Sequence, residues 1–442
     1  MCNCTNTRSP SDTPVDFTKY PVPTLDNANF GEHVKKTMYL LSSSTAEKPN
    51  KIRIAFTGQS IVDPNNTWPA SLTEWLRQTY PTADIIAQNF AIGGFATEFL
   101  RKRMPNDITS FYPDLVICYV SGHDTYYEEM VRYIRENTMA EMMIHTSHLV
   151  TDPEGYEWAE YMSYKRLPEI AQKYGAQMCD TRTPWKNFLL KNLMTLDVLL
   201  YDTAHLNASG QQFMLELMKQ FFVLKESNAA EDIQAQYIPI STKDWQGGKL
   251  TVPFTGNRVE LVYGDGQRGK VNVRINGQKP SEIREAYIRT KENNSMWSTI
   301  GVISYKKVPG EQVFTVTVND FTDAQNFSYT VEGAETGLEG ASNTSGILNG
   351  NYLYLTDMSF IFHPGADNPT PGQLYTFQSL LNGTDTHDGS NPYTTHPEKS
   401  ELFDPMMLIS GILVGKHILE LTAESDIPDI KAIKVYNPND VI

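Results

Sequence analysis

Residues 52–60 of the chain, Ile-Arg-Ile-Ala-Phe-Thr-Gly-Gln-Ser, decide the fold of its first half. Apolar side chains alternate with small or polar ones, a pattern that is typical of a buried strand. Gly58 ends the strand, and Ser60 precedes an amphipathic helical pattern. Ligands of open α/β sheets bind beyond the carboxyl ends of the strands, so Ser60 is a candidate nucleophile. The alternative is an ordinary turn residue.

The alternation of strands and helices continues from residue 51 to about residue 224. Apolar strand patterns lie near residues 52–57, 84–90, 114–120, 141–147 and 176–180. Amphipathic helical patterns lie near residues 68–80, 95–103, 125–137, 157–174 and 207–222. Alternation of this kind predicts an α/β fold, in which a parallel sheet is covered by helices on both faces.

The second half of the chain has a different texture. Long helical patterns disappear after about residue 226, and short alternating runs such as Lys270-Val-Asn-Val-Arg-Ile follow, separated by Gly, Asn and Asp turns. Many short strands at this spacing predict an all-β sandwich. We therefore expect a tether and arm over residues 1–50, an α/β domain over 51–225 and a β-sandwich over 237–442. Residues from about 281 to 408 form a large insertion within this sandwich, and the part from about 364 to 405 is polar and loop-rich.

The composition excludes several classes of partner. The chain has 442 residues and a formal net charge of −15, which argues against nucleic acid and anionic membranes as partners. No apolar run approaches the roughly 20 residues needed to span a bilayer. Cys118 and Cys179 lie in apolar strand patterns and are expected to be buried thiols. The cysteine spacing indicates neither a disulfide framework nor a zinc site, so no metal is expected.

Four polar stretches of the α/β domain lie where a parallel sheet would bring them together. They are Gly58-Gln-Ser60, Asn89-Phe-Ala-Ile-Gly-Gly94, Ser121-Gly-His-Asp124 and Asp202-Thr-Ala-His205. The first three follow strands, so all three would open onto one edge of the sheet. The fourth places an aspartate three residues before a histidine. Together they hold a nucleophile, a base, an orienting acid and backbone donors, which are the parts of an acyl-transfer site.

In the order and spacing of these stretches, residues 51–224 resemble the SGNH hydrolases, the GDSL-type esterase superfamily. The resemblance implies a flavodoxin-like three-layer α/β/α sandwich with a five-stranded parallel sheet. It implies that Ser60 is the nucleophile, His205 the general base and Asp202 its partner. It also implies that the backbone N–H groups of Ser60 and Gly94 belong to the oxyanion hole. The family needs no cofactor, and none is expected.

Three positions depart from the family pattern. Gln59 stands where an aspartate is usual, but that position is not a member of the triad. His123 stands where the family has its oxyanion asparagine, and Ser121 where a glycine is usual. A neutral imidazole carries one N–H group, so His123 is either an oxyanion donor or a substrate contact. Gly93 is the alternative to Gly94 as the backbone donor.

Further residues near the strand ends are hypothetical substrate contacts: Gln59, Gly93, Asp124, Tyr126 and His148. Several of them have a structural interpretation as well. Asp124 can cap the helix that follows it, and His148, like His145, can be a structural or rim residue. Three aromatic residues lie near the predicted strand ends: Trp68, Tyr126 and Tyr127. Packing is favoured for them over a role as platforms for sugar rings.

The second half adds a weaker resemblance. The runs that begin at Phe254, Val271 and Gly415 look like the jelly-roll modules attached to carbohydrate esterases. Together the two resemblances imply a serine esterase that removes acyl groups, foremost acetyl, from a polysaccharide or oligosaccharide. The alternatives are a lipid or thioester hydrolase, and a non-catalytic carbohydrate-binding protein on an esterase scaffold.

The polar N-terminus leaves two interpretations of where the protein acts. It lacks the apolar core of a signal peptide, so the protein is either cytoplasmic or begins after a removed signal. Cys2, followed by a polar tether, resembles the lipid-bearing cysteine of a bacterial lipoprotein. A glycosylation sequon at Asn207, two residues from His205, indicates a cell that does not read such sites. We therefore expect an exported bacterial protein, in the periplasm or on the cell surface, with a lipid anchor at Cys2 as a hypothesis.

Overall fold

The computed structural model describes residues 14–25, 30–151, 156–225, 235–289, 298–301, 303–356, 359–363, 365, 367–391 and 404–441. Cys2, the hypothetical lipid site, lies outside these residues. The chain divides into two compact units. The first consists of Met1–Glu98, Pro113–Val131 and Ala140–Asp232, and the second of Phe99–Tyr112, Arg132–Met139 and Ile233–Ile442.

The first unit is built on a parallel sheet. Its strands are β1 (Lys51–Gly58), β2 (Asp84–Asn89), β3 (Leu115–Tyr119), β4 (Glu141–His145) and β5 (Gln177–Cys179). Their spatial order is β2-β1-β3-β4-β5, the order of flavodoxin-like sheets. The pairing of β1 with both β2 and β3 is parallel. The predicted α/β fold is therefore confirmed, because the apolar runs of the sequence are the strands of this sheet.

Helices alternate with the strands along the chain. They are α1 (Lys35–Ser42), α2 (Trp68–Thr79), α3 (Thr97–Leu100), α4 (Met104–Phe111), α5 (Asp124–Asn137), α6 (Tyr156–Tyr161), α7 (Leu167–Tyr174), α8 (Arg182–Lys191) and α9 (Ala208–Lys219). A π-helical turn, Met162–Arg166, joins α6 to α7. The helix expected over 95–103 was wrong in extent, since α3 ends at Leu100 and α4 begins at Met104. The single helix expected over 157–174 is interrupted by the π turn.

Helix α1 lies within residues 1–50, for which the sequence predicted a tether and an arm. Val34, Met38 and Leu41 recur at helical spacing and are buried in the core of the first unit. The helix has only eight residues, too few for its periodicity to stand out in the sequence. The described part of the arm packs on the same unit, where the N–H of Val15 donates to Ser209 Oγ at 2.9 Å.

The second unit is dominated by antiparallel sheets. Its strands are β6 (Gln236–Pro239), β7 (Lys249–Tyr263), β8 (Lys270–Ile275), β9 (Tyr287–Arg289), β10 (Ser298–Ile300), β11 (Ser304–Tyr305), β12 (Gln312–Asp323), β13 (Asn326–Gly333), β14 (Gly337–Ala341), β15 (Leu348–Asn349), β16 (Leu353–Leu355), β17 (Phe360–Phe362), β18 (Leu374–Leu381), β19 (Thr386–Asp388), β20 (Met407–Ala423) and β21 (Ile430–Tyr436). In β8, buried and exposed residues alternate strictly, as expected of a strand with one face in a core. This agrees with the predicted all-β sandwich.

Two larger sheets organise this second unit. A six-stranded sheet has the order β19-β8-β20-β7-β21-β6, and a five-stranded sheet has the order β14-β13-β12-β18-β9. Each contributes to a hydrophobic cluster of its own. All strands of the five-stranded sheet lie between Tyr287 and Leu381, inside the predicted insertion. None of the helices in the described ranges has the length and apolarity to cross a bilayer.

Candidate active site

The turn that carries Ser60 follows β1 directly. The backbone N–H groups of Val62 and Asp63 donate to the carbonyl of Gln59 at 2.8 and 3.1 Å, which closes a tight turn around Ser60. The Gln59 side chain accepts a hydrogen bond from the N–H of Ser121 at 3.1 Å, across to the segment that follows β3. Gln59, a hypothetical substrate contact in the sequence, therefore ties two strand ends together.

Ser60, His205 and Asp202 form one continuous chain of hydrogen-bonding groups. His205 Nε2 lies 3.0 Å from Ser60 Oγ. On the other side of the ring, His205 Nδ1 lies 2.8 Å from Asp202 Oδ2. These distances are those of a nucleophile held by a base and of a base held by an acid. The structure thus brings together the three residues that the family resemblance implied for catalysis.

The protonation states of this chain follow from the surroundings of Asp202. Partial burial raises the pKa of Asp202, but the backbone N–H groups of His205 and Ala204 and the His205 ring lower that pKa by more. The carboxylate is therefore ionised at neutral pH and can only accept hydrogen bonds. His205 Nδ1 must then carry the ring proton. Nε2 is left with a lone pair directed at the hydroxyl of Ser60, which is what a general base requires.

Tyr201 supports His205 from one face. Its ring stacks on the imidazole with centroids 5.6 Å apart and planes inclined by 15°. Its backbone N–H also donates to the carbonyl of His205 at 2.9 Å. Sequence reasoning did not single out Tyr201, although its position next to Asp202 was a signal that it shares the same loop.

His148 lies behind the catalytic loop and is almost fully buried. The Tyr119 hydroxyl contacts its Nδ1, and its Nε2 lies 2.6 Å from the carbonyl oxygen of Ala204. Burial lowers the pKa of His148 to about 4, against the opposing effect of the Ala204 carbonyl. The ring is therefore neutral, with Nε2–H donating to Ala204 and Nδ1 accepting from Tyr119. Both ring nitrogens are used within the protein, so His148 braces the loop between Asp202 and His205. Substrate contact by His148 stays a prediction.

The segment after β2 lies against the nucleophile. A β-carbon built on Gly93 would lie 3.8 Å from Ser60 Cβ and only 2.8 Å from Asp63 Oδ2, so a side chain there would collide with Asp63. Gly94 has a φ of +80°, a conformation that favours glycine. Backbone of this kind can approach a reacting carbonyl closely. Oxyanion donation by Gly94, or by Gly93, stays a prediction.

His123 occupies an open cleft lined also by Glu98, Gly122, Tyr126 and Trp158. Its side chain is 60% exposed, and its Nδ1 lies 3.3 Å from Asp124 Oδ1. The loop before His123 requires a glycine at position 122. Gly122 has a φ of +143°, and a β-carbon there would lie 2.4 Å from Thr97 Oγ1. The place of His123 fits either a donor or a substrate contact, and both roles stay predictions.

The remaining sequence candidates have structural contacts. Asp124 begins α5, where its Oδ1 accepts from the N–H of Thr125 at 2.8 Å. Its Oδ2 lies 3.5 Å from Arg166 Nε. Asp124 is thus the first residue of the helix and forms an ion pair, and its role as a helix cap or as a substrate contact stays a prediction. Tyr127 is fully buried, whereas Tyr126 is partly exposed and packs beside the His123 ring at 5.0 Å.

A partly buried set of hydrogen bonds anchors the Ser60 turn, and sequence reasoning missed it. The Asn66 side-chain amide donates to the carbonyl of Ser60. Gln211, on α9, donates to Asn66 Oδ1 at 2.5 Å and accepts from the N–H of Trp68 at 3.1 Å. This links the nucleophile turn to the helix that follows His205. No local pattern signals such a link, because its members are separated by 145 residues along the chain.

A cavity of about 230 Å³ opens beside Ser60. Its wall includes Val120, His148, Trp158, Met162 and Ser163. Gly122 and Trp158 line both this cavity and the open cleft that holds His123. Trp158 was missed in the sequence because it lay within an amphipathic helical pattern, in which a tryptophan is usually a packing residue.

No protein-family model matches the chain, and no curated protein matches it. Among solved structures it is similar to Axe2, an acetylxylan esterase from Geobacillus stearothermophilus, with 17% identity over 39% of this chain and 95% of that chain and a TM-score of 0.36. It is also similar to the acetyl xylan esterase AlAXEase, with 19% identity over 39% of this chain and 100% of that chain and a TM-score of 0.34.

Proposed function

We propose that this protein is a serine carboxylic ester hydrolase that removes acyl groups from a polysaccharide or oligosaccharide. One observation carries the proposal: His205 lies within hydrogen-bonding distance of Ser60 on one side and of an ionised Asp202 on the other. This arrangement fixes the tautomer of the base and points its lone pair at a hydroxyl. A serine that only forms part of a turn does not require this series of hydrogen bonds.

The reaction would run through an acyl-enzyme. Ser60 Oγ attacks the ester carbonyl carbon while its proton passes to His205 Nε2. The tetrahedral intermediate then collapses, and the alcohol leaves with the proton that His205 returns to it. A water molecule, deprotonated by the same nitrogen, attacks the acyl group, and collapse of the second intermediate releases the acid and restores Ser60. Asp202 stabilises the imidazolium in both steps without accepting its proton.

The negative charge on the carbonyl oxygen needs donors at fixed positions. The backbone N–H groups of Ser60 and Gly94 are proposed for this role, with His123 as a side-chain donor. The position of Gly93 beside Ser60 supports a close approach of this segment to the reacting carbonyl. Donors of this kind act on charge that develops only in the transition state, so their loss lowers turnover more than substrate affinity.

A glycan as the alcohol part of the ester is supported by the open cleft. Trp158 is 43% exposed there, and its ring is fixed because Nε1–H donates to the carbonyl of Gly122 at 3.1 Å. An exposed, immobilised aromatic face offers an apolar surface with a wet rim, which suits the apolar face of a sugar ring. The β-sheets of the second unit would add a carbohydrate-binding module, and a location outside the cytoplasm would bring the enzyme to its polymer.

The test combines covalent labelling with product release. A fluorophosphonate should label the Ser60 peptide of the parent and of a Ser43→Ala control, since Ser43 is an exposed serine in the same unit. The Ser60→Ala variant should take no label. The parent and the Ser43→Ala control should release acetate from acetylated plant and algal polysaccharides, and the Ser60→Ala variant should not.

Other outcomes decide between the alternatives. Hydrolysis of small synthetic esters without release from any glycan would favour a lipid or thioester hydrolase. Neither labelling nor hydrolysis, together with retained glycan binding, would favour a non-catalytic carbohydrate-binding protein.

A further inference from the structure

The cavity beside Ser60 is larger than an acetyl group needs. Its volume is about 230 Å³, whereas an apolar cavity of roughly 150 Å³ is enough to hold benzene. Scaled by that comparison, the cavity has room for about nine non-hydrogen atoms. An acetyl group has three, so most of the space would stay unfilled if acetate were the only acid released.

The walls of the cavity suit an acyl chain better than a sugar. Ile61, Val120, Met162 and Leu167 line it and are nearly fully buried. A polymeric alcohol must continue past the site in at least one direction, so it requires an open cleft. An acyl chain ends, and it can therefore occupy a buried pocket. The open cleft that shares Trp158 with this cavity is left for the alcohol part of the ester.

The cavity wall also carries one polar group that the described residues leave without a partner. Ser163 lines it and is 2% exposed, yet its hydroxyl has no hydrogen-bond partner among the described residues. A buried hydroxyl without a partner is costly, so water or a polar atom of a bound molecule is expected to complete it, since an alkyl chain offers no hydrogen bond. Ser163 belongs to the π-helical turn Met162–Arg166, and such turns are frequent at functional sites.

We infer that this cavity is an acyl pocket, and that the enzyme prefers acyl groups of about four to eight carbons over acetyl. This inference rests on the proposed ester hydrolysis at Ser60, and it names the acid part of the substrate. It differs from the acetyl group that the sequence resemblance implied. The pocket admits acetyl as well, so activity on acetyl esters is expected to be present and lower.

The direct test is a series of p-nitrophenyl esters from acetyl to decanoyl with the parent protein. Each methylene that enters the cavity should raise kcat/KM by up to about fourfold. Butyryl should therefore exceed acetyl by up to about fifteenfold, and the rise should end near octanoyl, where the cavity is full. An acetyl ester that is hydrolysed at least as fast as butyryl and hexanoyl would overturn the inference while leaving ester hydrolysis intact.

Two variants separate the pocket from general effects of a bulky side chain. Ala159→Phe places a ring at the cavity wall, at a residue that is only partly buried. It should lower kcat/KM for the hexanoyl ester at least tenfold and leave the acetyl ester within threefold. Glu157→Phe, on the exposed side of the same helix, should change neither ester by more than twofold. Equal losses on both esters for Ala159→Phe would count against an acyl pocket.

A binding measurement makes the inference independent of turnover. The Ser60→Ala variant should bind hexanamide more tightly than acetamide in calorimetric titration, and adding Ala159→Phe should abolish the difference. If no ester is hydrolysed by the parent, the proposed function fails, and this comparison alone decides whether the cavity accepts an acyl chain. Equal binding of the two amides would then overturn the inference.

Discussion

Replacing Asp202 by asparagine should inactivate the enzyme through the tautomer of His205. Asp202 Oδ1 accepts hydrogen bonds from the backbone N–H groups of Ala204 and His205 at 2.8 and 2.6 Å. Asparagine keeps these bonds only with its carbonyl oxygen at that position. In the flipped orientation the NH₂ group would face two N–H donors. Both hydrogen bonds would be lost, at a cost of about 1 kcal/mol each. The NH₂ group must therefore face the imidazole.

The consequence can be followed atom by atom. With an N–H donor at the place of Oδ2, His205 Nδ1 must accept, so the ring proton moves to Nε2. Nε2–H then faces Ser60 Oγ and cannot take its proton. The loss expected for a wrong tautomer is about 10⁴ in turnover, or about 5 kcal/mol in the activation barrier. KM should change little, because Asp202 is not expected to touch the substrate.

The assay is steady-state kinetics on one butyryl ester, with thermal unfolding as a check on folding. Asp197→Asn is the matched control, since it removes the same charge five residues upstream and should keep turnover within twofold. Fluorophosphonate labelling of Ser60 should slow in parallel with turnover in Asp202→Asn. If Asp202→Asn keeps turnover within a few-fold of the parent, another group orients His205 and the assignment of the acid is wrong.

Three further predictions concern histidines. His123→Ala should lower turnover by about 10²–10³ if His123 is an oxyanion donor, and His123→Asn should keep much of it; a change mainly in KM would make His123 a substrate contact. His148→Leu leaves the Ala204 carbonyl and the Tyr119 hydroxyl without their partner, so it should cost about 1–3 kcal/mol of stability and lower kcat per folded molecule. His148→Gln can still donate to Ala204 and should recover kcat. Equal kcat in both variants would show that His148 supports folding alone. Burial lowers the pKa of His145 and of His148 to about 4 in the folded protein, so the unfolded chain binds more protons between about pH 6.5 and 4. The free energy of unfolding should therefore fall by about 3 kcal/mol per histidine as the pH is lowered through that range. Urea titrations at several pH values measure this, and an unchanged dependence of the free energy of unfolding on pH in His145→Gln would contradict it.

The sequence by itself determined the sheet and the order of the catalytic segments. The apolar alternation of residues 52–57 is a local property, since each side chain of a strand points to the face opposite its neighbour. Strand ends follow from the same pattern, so the positions of Ser60 and His123 at the edge of the sheet could be predicted from it. The aspartate three residues before His205 was visible in the same way, because both lie in one loop.

Tertiary structure alone decided what surrounds those residues. Tyr119, His148 and Ala204 are joined by hydrogen bonds although 85 residues separate the first from the last. The cavity beside Ser60 has walls from several separate segments, and its volume depends on how the side chains pack. Short helices such as α1 and the π turn beside α6 are also set by packing, because too few residues are involved for a periodic pattern. A local pattern reports the hydrogen bonding and burial of one segment, whereas a site forms where several segments meet. The sequence therefore predicted the positions of Ser60, Asp202 and His205. The hydrogen bonds around these residues and the cavity beside Ser60 depend on the tertiary structure.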